Sequence, residues 1–421
     1  MVSRRSLLVG GVAAAGLVWA KPDDNGGNYS PYFLTLNNTL RENGIDRPSL
    51  VIDLDRLDRN IDRVAKSVAA GVGRNYRVVV KSIPSPGLVN YVANRANTNA
   101  LMVFHRPFIQ AMAAQRPNSD LLLGKPMPIA AAHTFYDQHK GEFNPEKQLQ
   151  WLIDTDARLV QYLDLAKARN LKLRVNLELD VGLHRGGYTS PEALATALDI
   201  IIANPKRLEF AGFMGYDAHV SGLPKILAKG ELPKIKQRYA AAVDFLQQKY
   251  PALINDKLCF NGAGSPTFRH YEDNTVVNEI SAGSCLLKPT HFDLDILEDF
   301  EESSFIASPV LKRLQGGRLP AVEWAGPVIR SWDKNQALTY FAYSGNWMAE
   351  LESPPGLSKH FAYASSNQQG YNGSKSIALA IDDFIFLRPK QSEAVLLEFG
   401  DLIGVRANTI EQRWPVLPVG I

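Results

Sequence analysis

The chain has 421 residues, of which 45% are hydrophobic and 21% charged, and its formal net charge is +3. That balance suits a folded chain with room for a barrel-sized domain and a smaller partner, and it excludes general disorder and a global basic field that would recruit nucleic acid. Two cysteines, Cys259 and Cys285, are too few for a disulfide framework or a structural zinc site, which leaves two buried thiols or one bridge.

Residues 1–20 read as an export leader. Arg4-Arg5 stand directly before an apolar run, Leu7 to Val18, that is shorter than the roughly 20 residues a membrane-spanning helix needs. Val18-Trp19-Ala20 then offers a cleavage site. The segment resembles a twin-arginine export signal, so the expected compartment is the periplasm, with a generic secretory signal or an uncleaved anchor as the alternatives. Losing Arg4 and Arg5 with the leader would bring the formal charge closer to zero.

Residues 21–47 are polar and turn-rich. Pro48–Leu54 then reads as a strand and Asp55–Ala70 as a helix, with Leu57, Ile61, Val64 and Val68 at helical spacing. From there one theme repeats, an apolar or β-branched run followed by a helical stretch. Eight such runs are Arg77–Lys81, Ala100–Phe104, Asp120–Leu123, Gln150–Ile153, Lys172–Leu179, Glu209–Met214, Leu258–Phe260 and Val276–Ile280. The helices between them are clearest at Thr155–Ala168, Pro191–Ala203 and Leu232–Gln248. Eight alternating units predict a parallel (β/α)8 TIM-type barrel over residues 48–290, with an open doubly wound sheet as the alternative. Beyond His291 helical periodicity fades. Short runs at Ala337–Tyr343, Ser376–Ile381 and Phe384–Leu387 predict an antiparallel β domain over residues 291–421, which the strand near residues 48–54 can join.

In a parallel barrel the reactive groups gather where strands end. Lys81 closes the run Val78-Val79-Val80, an unusual place for an unpaired lysine. Partial desolvation there favours the neutral amine that attacks a carbonyl, although a lysine that snorkels to solvent is the plainer reading. Asn176 through Gly187 brings alternating carboxylates and a His184-Arg185-Gly186-Gly187 turn to another strand end. Gly262–Thr267 and Ser281–Ser284 follow the seventh and eighth runs. Small residues there open backbone N–H groups to an anion, and those two positions are where barrels commonly hold phosphate.

In their order and spacing these segments resemble the fold-type III pyridoxal-phosphate enzymes, in the D-threonine aldolase and D-serine dehydratase branch related to alanine racemase. The resemblance covers Pro48 to Arg406. It rests on Pro48–Asn60, Arg77 with Lys81, Leu179-Asp180-Val181-Gly182 with Arg185, Phe213–Tyr216, Gly262–Thr267, Glu279 with Gly283-Ser284, Gln391-Ser392-Glu393 and Phe399-Gly400-Asp401. It implies pyridoxal 5′-phosphate held as a Schiff base by Lys81, with Arg185 at the pyridine nitrogen and Tyr216 lining the site. Gly264, Ser265, Thr267, Gly283 and Ser284 would hold the phosphate. His219 would transfer protons, unless it is only a loop histidine. A small-molecule amino-acid substrate, a homodimer, no nucleic-acid partner and no membrane contact beyond the export signal complete that expectation.

The chain departs from the pattern in one region. Members of this branch that use a divalent ion carry a His-x-Cys or His-x-Asp pair near the C-terminus, whereas Asp401 is followed by Leu402-Ile403-Gly404-Val405-Arg406-Ala407-Asn408. No divalent metal is therefore expected. Cys285 and Lys288 also replace the tyrosine and acid common after the Gly-Ser turn, and Val78-Val79 replace Pro-His. Three functions follow from the resemblance. A lyase acting on a β-hydroxy D-amino acid comes first, then an amino-acid racemase, with a second base from Tyr340, Tyr343, Tyr363 or Tyr371, and last a non-catalytic cofactor binder.

Overall fold

A computed structural model describes residues 21–418, apart from 72, 274 and 275. The leader read at residues 1–20 lies outside the described residues. The chain divides into two compact units, one formed by residues up to Val51 with Phe305–Lys390 and Val405–Glu411, the other by Ile52–Ser304 with Gln391–Gly404 and the segment from Gln412 onward.

The larger unit is a closed parallel barrel. After β1 (Ser49–Asp53), its strands are β2 (Asn75–Val79), β3 (Ala100–Val103), β4 (Asp120–Leu123), β5 (Leu149–Ile153), β6 (Leu173–Leu179), β7 (Leu208–Gly215), β8 (Cys259–Gly262) and β9 (Glu279–Ala282). They join in chain order, and β9 closes onto β2. All eight sequence runs are barrel strands, so the open-sheet alternative falls. The eighth is displaced: Val277 is buried, but the ladder begins only at Glu279.

Helix boundaries follow local chemistry. Asp53 accepts from the Arg56 N–H and starts the helix Leu54–Ala69, whose buried Leu57, Ile61, Val64 and Val68 form one stripe. Thr155 caps Asp156–Arg169, and Asn170 ends it at φ 56° in the left-handed region. The helix expected from Leu232 starts earlier, at Lys225. Pro233 lacks the N–H that a helix interior uses, which argued for a start near it, but residues 225–232 are largely exposed and water can serve the freed carbonyl. Gly212, at φ 135°, sits where β6–β7 pairing slips a register, and a Cβ there would lie 1.9 Å from the Cys259 carbonyl oxygen.

The barrel's lower interior is polar. Arg77, buried on β2, donates to both Glu279 oxygens (2.5 and 2.9 Å), to Asp120 Oδ1 (2.6 Å) and to the carbonyls of Leu101 and Asp120. Arg174 reaches Asp120 Oδ2 at 2.9 Å, and Asn261 donates to Glu279 at 2.8 Å. A buried cation is tolerable only when its partners converge this fully. Arg77 is therefore a girder beneath the site.

The smaller unit is built on a sheet containing β10 (Ser304–Gln315), β11 (Leu338–Tyr343), β12 (Ala349–Ser353), β13 (Ser358–Lys359), β14 (Gln368–Gly373), β15 (Phe384–Pro389), β16 (Asp401–Arg406) and β17 (Thr409–Pro415). Its order is β13-β14-β11-β10-β1-β16-β17, with β15 paired to β10 and β12. β1 thus joins this sheet. The ladders β10–β11, β10–β15, β11–β14, β12–β15 and β13–β14 are antiparallel. The turn-rich reading of residues 21–47 missed a helix, Pro31–Glu42, capped by Ser30 with Pro31 in its first turn. Its Phe33 packs on Phe305 and Phe386 at ring-centroid distances of 5.2 and 5.0 Å. Ser376–Ile381 is not a strand: Ile377 and Leu379 are buried, but the segment runs as a turn and an extended piece without a ladder. Among the described residues no helix is long and apolar enough to cross a membrane.

Candidate active site

The loops that leave the carboxyl ends of the barrel strands enclose a cavity of about 710 Å³, a volume suited to a cofactor with a small substrate. Lys81 lies in the turn Val80–Ser82 directly after β2 and lines this cavity. Its Nζ is 3.5 Å from Glu393 Oε1 and 4.8 Å from the centroid of the Phe104 ring. Two hydroxyls share that carboxylate: Ser82 Oγ donates to Glu393 Oε1 at 3.0 Å, and Ser284 Oγ lies 3.4 Å from it.

Beside that turn, the β8 and β9 loops place Gly264, Ser265, Gly283 and Ser284 on the cavity wall. Ser265 Oγ accepts from the Gly283 N–H (3.0 Å) and the Cys285 N–H (3.1 Å), tying the two loops together. The N–H groups of Ser265 and Ser284 donate to no acceptor among the described residues. Both glycines stand where a side chain would collide: a Cβ on Gly264 would lie 2.5 Å from Tyr216 Cε2, and one on Gly283 would lie 2.8 Å from the Val79 carbonyl oxygen. Unclaimed donors in a cradle kept narrow by glycine fit a phosphate group, and Lys81 presents its amine to the same cavity. The donor set fits pyridoxal phosphate.

Arg185, after β6, and Tyr216, after β7, meet on the wall next to the cradle, with the guanidinium 5.2 Å from the ring centroid. Beside them Glu178 is buried on β6. Burial pushes its carboxyl up to about 7, with the Asp154 and Asp180 charges acting in the same direction and Arg185 opposing them. Sequence reading noted the alternating carboxylates but gave Glu178 no role. Burial and neighbouring acids, rather than any motif, set it apart.

Two expected site residues are not brought to the cavity wall. Thr267 Oγ1 accepts from the Gly264 N–H (3.1 Å) and donates to buried Asp217 (2.5 Å), so it braces the phosphate loop from behind. His219 lies in the turn Ala218–Gly222, where its Nε2 is 4.0 Å from Glu231 Oε1. The loop after β7 folds that ring back toward the helix Lys225–Lys249. His105 and Lys125, which line the cavity after β3 and β4, were missed because a lone histidine and a Gly-Lys-Pro turn carry no sequence signal.

Lys288 also points away, its Nζ donating to the Phe300 carbonyl at 2.7 Å and lying 3.1 Å from Glu302. Cys259 and Cys285 are buried and unpaired. His360 accepts the Ala362 N–H on Nδ1 and packs on Tyr363 at 4.3 Å. Among the described residues no group of three or more His, Cys, Asp or Glu is placed to hold a metal ion.

A closed parallel barrel with a lysine after its first strand and a glycine-lined anion cradle after its last two defines the fold-type III pyridoxal-phosphate class. Residues 52–290 match the family model described as alanine racemase, N-terminal domain, and the chain belongs to that family. No curated protein matches significantly. Among solved structures, D-threonine aldolase from Filomicrobium marinum is similar at 17% identity and TM-score 0.69, over 89% of this chain and 95% of that one. D-threo-3-hydroxyaspartate dehydratase from Delftia sp. HT23 is similar at 16% identity and TM-score 0.64, over 89% and 98%. Alanine racemase from Bacillus anthracis is similar at 11% identity and TM-score 0.66, over 88% and 97%. The superfamily's members are pyridoxal-phosphate enzymes, lyases and racemases among them.

Proposed function

We propose that the protein is a pyridoxal-phosphate-dependent lyase acting on a β-hydroxy D-amino acid through Lys81. The observation that carries this reading is Lys81 Nζ in the same cavity as the unclaimed Ser265 and Ser284 N–H groups. Bound at its aldehyde carbon, pyridoxal phosphate supplies an electron sink conjugated to the substrate's α-carbon. The chain supplies the rest. Lys81 Nζ would hold the cofactor's aldehyde carbon and then serve as a base toward the α-carbon. Glu393 Oε1 lies 3.5 Å from that amine and accepts a hydrogen bond from Ser82 Oγ. The unclaimed Ser265 and Ser284 N–H groups would take the phosphate, in the space that Gly264 and Gly283 leave open. Arg185, which lines the same cavity, would meet the pyridine nitrogen, where a guanidinium that stays charged leaves the ring neutral. Glu178, titrating near neutrality, is a better-placed proton acceptor for a substrate hydroxyl than His219.

The racemase reading keeps one supporting observation. Tyr340 and Tyr371 are buried, with the Tyr340 hydroxyl on the Ile377 carbonyl, but Tyr343 is exposed and free to serve as a second base for a partner copy. The homodimer, the periplasmic location and metal-independent turnover belong to this proposal. The test incubates cofactor-loaded protein with D- and L-amino acids. Glycine plus an aldehyde, or ammonia plus a keto acid, supports the lyase, and the inverted enantiomer alone replaces it with the racemase.

A further inference from the structure

Around the barrel, the cradle lies after β8 and β9, Lys81 after β2, His105 after β3 and Lys125 after β4. Strand β4 is four positions from β8 in the ring of eight, so Lys125 faces the cradle across the cavity. Lys125 Nζ lies 3.5 Å from His105 Nδ1, and the edge of that imidazole meets the Phe108 ring at 5.2 Å. The cavity's other cations have negative neighbours: Lys81 has Glu393, and Arg185 shares the field of Glu178. Lys125 has no carboxylate within ion-pair distance among the described residues. The charge it feels is that of Lys81, which, after partial burial, lowers its pKa. His105 is driven down to about 4 by burial, then by Lys125 and Lys81. The neutral ring accepts the ammonium proton on Nδ1 and so carries its own on Nε2. The ammonium, with two protons beyond the one shared with Nδ1, and the imidazole N–H thus belong to residues on the cavity lining that have no carboxylate partner among the described residues.

We propose that Lys125 and His105 form the carboxylate-binding end of the substrate subsite. This rests on the cofactor reading above. With the phosphate held across the mouth and the amino group at Lys81, the anion that reaches β4 is a carboxylate of the amino acid. It is either the α-carboxylate or the distal carboxylate of a dicarboxylic substrate.

The experiment titrates cofactor-loaded wild type, Lys125→Met and Lys125→Arg calorimetrically with D-serine and D-aspartate. Losing a charge-assisted contact weakens binding about tenfold to a hundredfold. Equal loss for both ligands in Lys125→Met assigns the α-carboxylate, and loss for D-aspartate alone assigns a side-chain carboxylate. Lys125→Arg recovers most of either. Unchanged binding of both ligands by Lys125→Met overturns the proposal. A second readout needs no cofactor: the His105 ring, followed by NMR, feels Lys125 after β4 and Lys81 after β2, and Asp154 after β5 lines the same cavity. Malonate should raise its titration midpoint in wild type and leave it unmoved in Lys125→Met. An unmoved midpoint in wild type also overturns the proposal. Failure of the cofactor reading would show separately, as wild type that binds no pyridoxal phosphate.

Discussion

Gly283→Ala tests whether the cradle and the lysine-bearing turn are one structure. Gly283 has φ −158°, outside the left-handed region, and the prediction rests on what a new Cβ would touch. The new Cβ would lie 2.8 Å from both the Val79 Cβ and carbonyl oxygen, and 3.0 Å from the Ser82 Cβ. Two of those atoms belong to the backbone or Cβ of the strand end leading to Lys81, which has no rotamer by which to escape. Either the β9 loop withdraws or the turn carrying Lys81 shifts. Overpacking of this kind costs about 1–3 kcal/mol, so pyridoxal phosphate should bind roughly fivefold to a hundredfold more weakly. Fluorescence titration with the cofactor and thermal unfolding of the cofactor-free protein measure the two parts of that cost. Gly222→Ala, with nothing within 4 Å of its Cβ, is the control. If Gly283→Ala bound the cofactor as tightly as Gly222→Ala and unfolded at the same temperature, the contact argument would be refuted.

The carboxyl of Glu178 gives a signed pH prediction. Its folded pKa, about 7, stands above the ordinary glutamate value of 4.5, so the folded state holds the proton longer and stability falls as pH rises through that window. Glu178→Gln should flatten the stability profile between those values, by at most about 3 kcal/mol, as chemical denaturation across pH would show; an unchanged slope contradicts the assignment. Chelation by EDTA should leave turnover essentially unchanged, and added manganese should not raise it. Restoration of EDTA-treated enzyme by manganese would point to an ion site built from other residues.

The barrel was legible because its signal is redundant. Eight apolar runs separated by helical stretches leave few topologies that bury both faces of each strand. Lys81, Arg185 and the two glycine turns were legible because strand ends and small residues mark them. What escaped depends on three-dimensional context. The fold-back of the loop after β7 carries His219 away from the cavity, and no spacing in Asp217-Ala218-His219 announces it. Thr267 looked like a phosphate ligand, but its hydroxyl is claimed by Gly264 and Asp217. Glu178, His105 and Lys125 gain their character from burial and from neighbouring charges, neither of which a sequence displays. In the sheet, β10 runs for 12 residues with Pro309 inside it. Proline argues against a strand interior, which masks this strand in the sequence.

The central claim is that Lys81 holds pyridoxal phosphate. Borohydride reduction of the cofactor-loaded protein, followed by peptide mass spectrometry, tests it most directly. The account predicts a single pyridoxyl-modified peptide with the modification on Lys81, and its loss in Lys81→Ala. Label on Lys125 instead, or no label on protein saturated with the cofactor, would contradict it.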